Sequence, residues 1–241
     1  MMRDLKDIVV TTYPFNKAGV RVASEPSFAF STGTKGVQPS KIYIISGGAC
    51  TELWYFKHIK DICGFDDLEV MPHNFGDESE YTERFPQRIN KILKGDPNAK
   101  FFCVFDWDTI RGNAKKLAKH EKFKNQYVNN ASVTLCPSMP CIEYWFLLHF
   151  ENYTNLLENY QKVANRLSNF MQGYFPKFSD IKKGKYLQFR DWVQKLCADG
   201  KLELATRRAE DNIKKALENN DLDNQSYSFV YLIFKNYNAV I

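Results

Sequence analysis

Short apolar runs alternate with helix-spaced apolar positions from residue 41 onward. Lys41-Ile-Tyr-Ile-Ile-Ser46 reads as a strand closed by Gly47-Gly48, and Thr51 to Cys63 then places Leu53, Phe56 and Ile59 on one helical face. The same alternation repeats with Leu68 to Met71 as a strand and with Phe85, Ile89, Ile92 and Leu93 on a helical face, stopped at Gly95-Asp-Pro97. Lys100-Phe-Phe-Cys-Val-Phe105 is apolar nearly throughout, the mark of a central strand covered on both faces. A helix over Asn113 to Asn125, a strand over Ala131 to Cys136, and a helix over Cys141 to Phe150 with Pro140 suited to its first turn complete the unit. Strands alternating with helices imply parallel crossovers, hence an α/β fold with a parallel sheet flanked by helices.

The pattern divides the chain into three. Residues 1–40 form an N-terminal arm, loop-like at Ser31 to Ser40; residues 41–150 form the α/β domain; residues 151–241 form a helical extension docked on the sheet. Helical patterns in the extension run over Asn155 to Gln172, Leu187 to Cys197 and Leu204 to Asn219, with a last apolar stretch from Tyr227 to Phe234.

Composition narrows the class. With 44% hydrophobic and 15% aromatic residues, the chain is an ordered globular protein. No apolar run approaches the ~20 residues of a membrane helix, and the start lacks a secretory signal. Six cysteines without a C-x-x-C pair read as reduced thiols of a cytoplasmic protein rather than a zinc site. The net charge of +5 is modest but unevenly placed. Arg111, Lys115, Lys116, Lys119, Lys122 and Lys124 face only Glu121, and Lys177, Lys182, Lys183 and Lys185 form a second cluster. Such clusters are either solvated helix faces or contacts for nucleic-acid phosphates.

Sites on an open parallel sheet form beyond the carboxyl ends of its strands. Residues 46–52 there include Gly47, Gly48 and Glu52; residues 73–80 include His73, Asp77, Glu78 and Glu80; residues 106–108 are Asp-Trp-Asp; and residues 138–143 end at Glu143. Asp106 and Asp108 in an extended D-x-D project to one side, a repulsion best relieved by Mg²⁺ or Mn²⁺, although the same pattern also starts turns. Glu143 falls in a helix apolar nearly all round, so a metal, a basic side chain or backbone donors must compensate it. His149, on another face of that helix, reads as a hydrogen-bonded core histidine, and His58 and His120 as surface residues. Gly47-Gly48 reads as a tight structural turn, or as a turn whose backbone N–H groups approach a phosphate, although neither G-x-x-x-x-G-K-[ST] nor G-x-G-x-x-G is present. Covalent hydrolase chemistry has no support, since no G-x-S-x-G elbow or Cys/His pair occurs.

Three segments together resemble the RloB family. Ser138-Met-Pro-Cys-Ile-Glu-Tyr-Trp-Phe-Leu-Leu-His-Phe150 is similar to the family's Ser-Asn-Pro-Cys-Phe-Glu-Leu-Trp-Leu-Leu-Leu-His-Phe. Val104-Phe-Asp-Trp-Asp108 resembles Val-Phe-Asp-Arg-Asp, and Thr51-Glu-Leu-Trp-Tyr-Phe56 resembles Thr-Glu-Pro-x-Tyr-Phe. A weaker likeness closes the chain at Asn224 to Leu232. The resemblance implies a TOPRIM-like sheet, a restriction-associated or phage-defence setting, and Mg²⁺-dependent (or Mn²⁺-dependent) action on nucleic acid, as a nuclease. It carries Asp106 and Asp108 over as metal ligands and Glu143 as the family's helix glutamate, either a third metal ligand or a carboxylate behind the ligands; Glu52, in the separate Thr-Glu motif, serves as a catalytic carboxylate if its side chain reaches back to the metal. The sequence departs from the family in carrying Gly47-Gly48 where Glu-Gly follows the first strand. Two alternatives follow: an inactive TOPRIM-like scaffold that binds nucleic acid or a nucleotide, or an accessory subunit of an ATPase or restriction complex.

Overall fold

A computed structural model describes residues 40–48, 50–73, 81–127, 129–172 and 186–237. The elements in chain order are β1 (Ile42–Ser46), α1 (Thr51–Cys63), β2 (Leu68–Met71), α2 (Tyr81–Leu93), β3 (Lys100–Asp106), α3 (Ala114–Tyr127), β4 (Val133–Met139) and α4 (Glu143–Leu148). They continue with α5 (Tyr160–Met171), α6 (Asp191–Cys197), α7 (Lys201–Glu218), β5 (Tyr227–Ser228) and α8 (Tyr231–Asn236). The five strands form one sheet in the order β2-β1-β3-β4-β5, parallel except for β5. The fold is therefore α/β, a mostly parallel sheet flanked by helices.

Burial explains the central strands. Ile44 and Ile45 point to opposite faces of β1 and both are buried, as are all five residues from Phe101 to Phe105 in β3. α2 and α3 pack together on one face, joined by Phe85 and Phe123 at 6.3 Å between ring centroids. α1, α4, α6 and α7 pack together in a second layer. There the Trp145 indole N–H donates to the Tyr55 hydroxyl at 2.6 Å, satisfying two buried polar groups deep in an aromatic core.

Several elements depart from the sequence pattern: the helix expected from Asn155 begins at Tyr160, with Asn155 bridged to Gln225, and that expected from Leu187 begins at Asp191. β4 continues past Cys136 through Pro137 and Ser138 to Met139. The stretch from Tyr227 is not helical at its start: Tyr227 and Ser228 pair with Met139 and Ser138, and α8 begins only at Tyr231. The Phe229 amide donates to the Pro137 carbonyl at 2.9 Å, and the Ser138 and Ser228 hydroxyls share a 2.8 Å hydrogen bond. A segment distant in sequence thus completes the sheet beside the strand that leads to Glu143. Among the described residues no helix is long and apolar enough to cross a membrane.

Candidate acidic site at the sheet edge

The strand order reverses direction between β1 and β3: the chain passes from β1 outward to β2, then back across to β3. The carboxyl ends of these two strands define the crevice where ligands of such sheets bind. The Gly47 amide donates to the Val104 carbonyl at 2.7 Å, which draws the turn after β1 against β3. On Gly47 a Cβ would stand 3.3 Å from the Phe105 Cβ, so a glycine relieves a close approach. The Ser46 hydroxyl donates to the Gly48 carbonyl at 2.7 Å and steadies the same turn.

Asp106 ends β3, and its Oδ1 accepts from the Ile142 amide at 2.9 Å. The backbone of the D-x-D segment is stitched to the β4–α4 connection: Trp107 N–H donates to the Ser138 carbonyl (2.8 Å) and Asp108 N–H to the Pro140 carbonyl (3.2 Å). That stitching brings the start of α4, and with it Glu143, to the end of β3. Glu143 is 2% exposed and Glu52 7% exposed.

Glu52 lies in the first turn of α1 and its carboxylate folds back onto the turn after β1. A Cβ on Gly48 would overlap both of its carboxylate oxygens. The space beside residue 48 is filled by a carboxylate delivered from four positions further along.

Three of the carboxylates act on the fourth, Asp106. Burial pushes the Asp106 carboxyl well above the usual carboxylate range, and the charges of Glu52, Glu143 and Asp108, in that order, push it further. The Ile142 amide opposes the shift but is outweighed. Cys141 joins the group: its thiol is held up in pKa by burial first and then by the charges of Glu143 and Asp106, with a hydrogen bond to Glu143. Nothing in the reduced-thiol pattern of the six cysteines points to this contact; the place of Cys141 two residues before Glu143 is the only signal the sequence offers.

Glu52, Glu143 and Asp108 are therefore each within electrostatic reach of Asp106 at the sheet edge, whereas His73 is exposed after β2 and Asp77, Glu78 and Glu80 lie outside the described residues. His58 and His120 are buried and not on the surface. The His58 ring meets the Leu187 carbonyl at 2.7 Å, and His120 packs edge-on to Trp107 at 5.1 Å between centroids. The apolar faces of α1 and α3 extend over these two positions. His149 is a core residue whose Nδ1 meets the Trp145 carbonyl at 3.0 Å. The second basic cluster, Lys177 to Lys185, lies outside the described residues. Among the described residues no three His, Cys, Asp or Glu side chains are drawn together as a ready metal-ligand set.

Fold and site together define an α/β protein with a helix-flanked, mostly parallel sheet and an acidic centre at its switch point. The family model described as RloB-like protein matches residues 42–236, and the chain belongs to that family. Comparisons with curated proteins and with solved structures returned no match.

Proposed function

We propose that this chain is a metal-dependent nuclease that cleaves phosphodiester bonds of nucleic acid in the crevice between β1 and β3. The observation that carries the reading is the concentration of Glu52, Asp108 and Glu143 around half-buried Asp106, whose ionised form is disfavoured by all three. A set of hard carboxylate oxygens fits Mg²⁺ or Mn²⁺, which would relieve the repulsion. A divalent cation held there supplies charge stabilisation to a phosphate oxygen.

The chain's own residues take distinct parts in this reading. Asp106 and Asp108 hold the cation, with Asp106 oriented by the Ile142 amide, and Glu143 serves as a third ligand. Glu52 takes the proton of the water that attacks the phosphorus and gives it to the sugar oxygen that leaves as its P–O bond breaks, standing in for the glutamate that the RloB pattern places at position 47. Its carboxylate already occupies the turn after β1, at the space Gly48 leaves open. A cytoplasmic, restriction-associated or phage-defence setting accords with six free cysteines and with the family.

A second reading is favoured by Gly47-Gly48 and by the unclosed ligand set: a TOPRIM-like scaffold that binds nucleic acid or a nucleotide without cutting it. Incubation with plasmid, single-stranded DNA and RNA in Mg²⁺ or Mn²⁺ separates the two. The nuclease reading expects cleavage by the unaltered chain, loss in Asp106→Ala and in the Asp106→Ala/Asp108→Ala pair, and a rate lowered by about 10²–10⁴ in Glu52→Gln. Bound metal without cleavage of any substrate favours the scaffold.

A further inference from the structure

We infer that the exposed basic side of α3, continued by Arg111 in the turn before it, is the surface on which a nucleic-acid backbone docks to reach the acidic site. The inference deepens the proposed function and rests on it for the direction in which the substrate is led.

Four carboxylates at the end of β3 and at the starts of α1 and α4 repel a phosphodiester, so a polyanionic substrate needs compensating positive charge close by. α3 begins where that charge is required, because it leaves the sheet directly after the D-x-D segment. The Arg111 amide donates to the Trp107 carbonyl at 2.8 Å, which holds Arg111 in a tight turn beside Asp108. Asn113 then starts the helix, its side chain accepting from the Lys116 amide at 3.0 Å, and the first turn contains no acid.

The structure sorts the six basic residues of this segment. Arg111, Lys115, Lys116 and Lys122 are exposed, and Lys119 is half-buried on the same side as Lys115 and Lys122. Lys124 is buried and forms an ion pair with Glu121 at 3.2 Å, so the one acid of the helix is engaged by the one lysine that faces inward. Lys115, Lys119 and Lys122 recur at i, i+4 and i+7 and run about 10 Å along the axis, the reach of about three phosphates of one duplex strand.

An ordinary solvated helix looks different in this same molecule. α7 interleaves Lys201, Arg207, Arg208, Lys214 and Lys215 with Glu203, Glu210, Asp211 and Glu218. Its Glu210 pairs with Lys235 at 2.5 Å, and its Arg208 donates to the Leu148 carbonyl. The charges of α7 are mixed along its length, whereas on α3 the exposed charged residues Lys115, Lys116 and Lys122 are all basic and the single acid, Glu121, pairs with inward-facing Lys124.

The test is binding of labelled duplex and single-stranded oligonucleotides in EDTA, followed by anisotropy across a salt series, so that no cleavage enters the readout. The inference expects a steep loss of affinity with salt for the unaltered chain. It expects the duplex slope of log K against log[salt] to shallow by about 1.8 in Lys115→Ala/Lys122→Ala, at ~0.9 per phosphate contact. Arg111→Ala shallows it by about 0.9, and Lys214→Ala/Lys215→Ala on α7 leaves it unchanged. Binding that is unaffected by the α3 variants, or weakened equally by the α7 pair, overturns the inference, as does binding to anionic vesicles but to no oligonucleotide. Cleavage that persists beside α3-independent binding overturns this inference alone. α3-dependent binding without cleavage removes the nuclease reading and leaves the docking surface standing.

Discussion

Gly48 and Glu52 form a pair in which the absence of one side chain makes room for the other. The Gly48 backbone is not in the left-handed region, so an alanine fits the chain there, but its Cβ meets the Glu52 carboxylate. Gly48→Ala therefore leaves the fold in place and turns Glu52 away from the site. Cleavage should fall about as far as in Glu52→Gln, within the ~10²–10⁴ range of a lost general acid–base group, while far-UV circular dichroism stays unchanged. Full activity in Gly48→Ala would contradict the role given to Glu52. The positions of Asp106, Asp108 and Glu143 were legible because residues at strand ends and carboxylates in apolar helices stand out in a sequence. The return of Glu52 to the turn before its own helix was not legible, since it depends on one side-chain direction and not on any spacing.

Elements were legible where burial imposes a period or a continuous apolar run, as in β1, β3 and α1, the last of which spans Thr51–Cys63 as its pattern indicates. β5 has two residues, set by pairing with a strand roughly ninety positions earlier, and such a partner leaves no local period. α3 illustrates a different failure. The sequence reads its His120 as a surface residue, yet that ring is fully buried against Phe105 and Trp107. Burial lowers the His120 pKa to about 3, and that of His149 in α4 likewise to about 3. Both rings are neutral in the fold and titrate near 6.5 when unfolded. Stability from each is fully present above pH 6.5 and is lost as pH falls toward 3. Between pH 7 and 5 each histidine costs about 2 kcal/mol at ~1.4 kcal/mol per unit. His120→Phe should remove its share, so that the drop in urea midpoint between these pH values is smaller than in the unaltered chain. An equal drop in both would contradict a buried neutral His120.

At the scale of the molecule, the sheet, the C-terminal strand and the family match over residues 42–236 describe one continuous assembly around the crevice. Tyr237 near the end of the described chain stacks on Phe65 at 3.9 Å and donates to Asp67 at 2.9 Å, reaching the far side of β2. The core of this assembly places a repulsive group of carboxylates at its switch point, and that electrostatic cost is the signature of the proposed metal site. Asp106, with its folded pKa raised above 3.8, is stabilising only when protonated: that contribution is present below pH 3.8 and is lost as pH rises through the folded value. Above pH 3.8 and without a bound cation, that contribution declines as pH rises. The most direct measurement is thermal unfolding at pH 7 of the unaltered chain and Asp106→Asn, each in EDTA and in Mn²⁺. Asparagine keeps the acceptor for the Ile142 amide and removes the charge. In EDTA the variant should melt higher, by roughly 2–4 °C for each ~1 kcal/mol relieved. Mn²⁺ should raise the melting temperature of the unaltered chain and leave that of Asp106→Asn nearly unmoved. A variant that melts lower in EDTA, or that responds to Mn²⁺ as the unaltered chain does, would contradict a metal site built on Asp106.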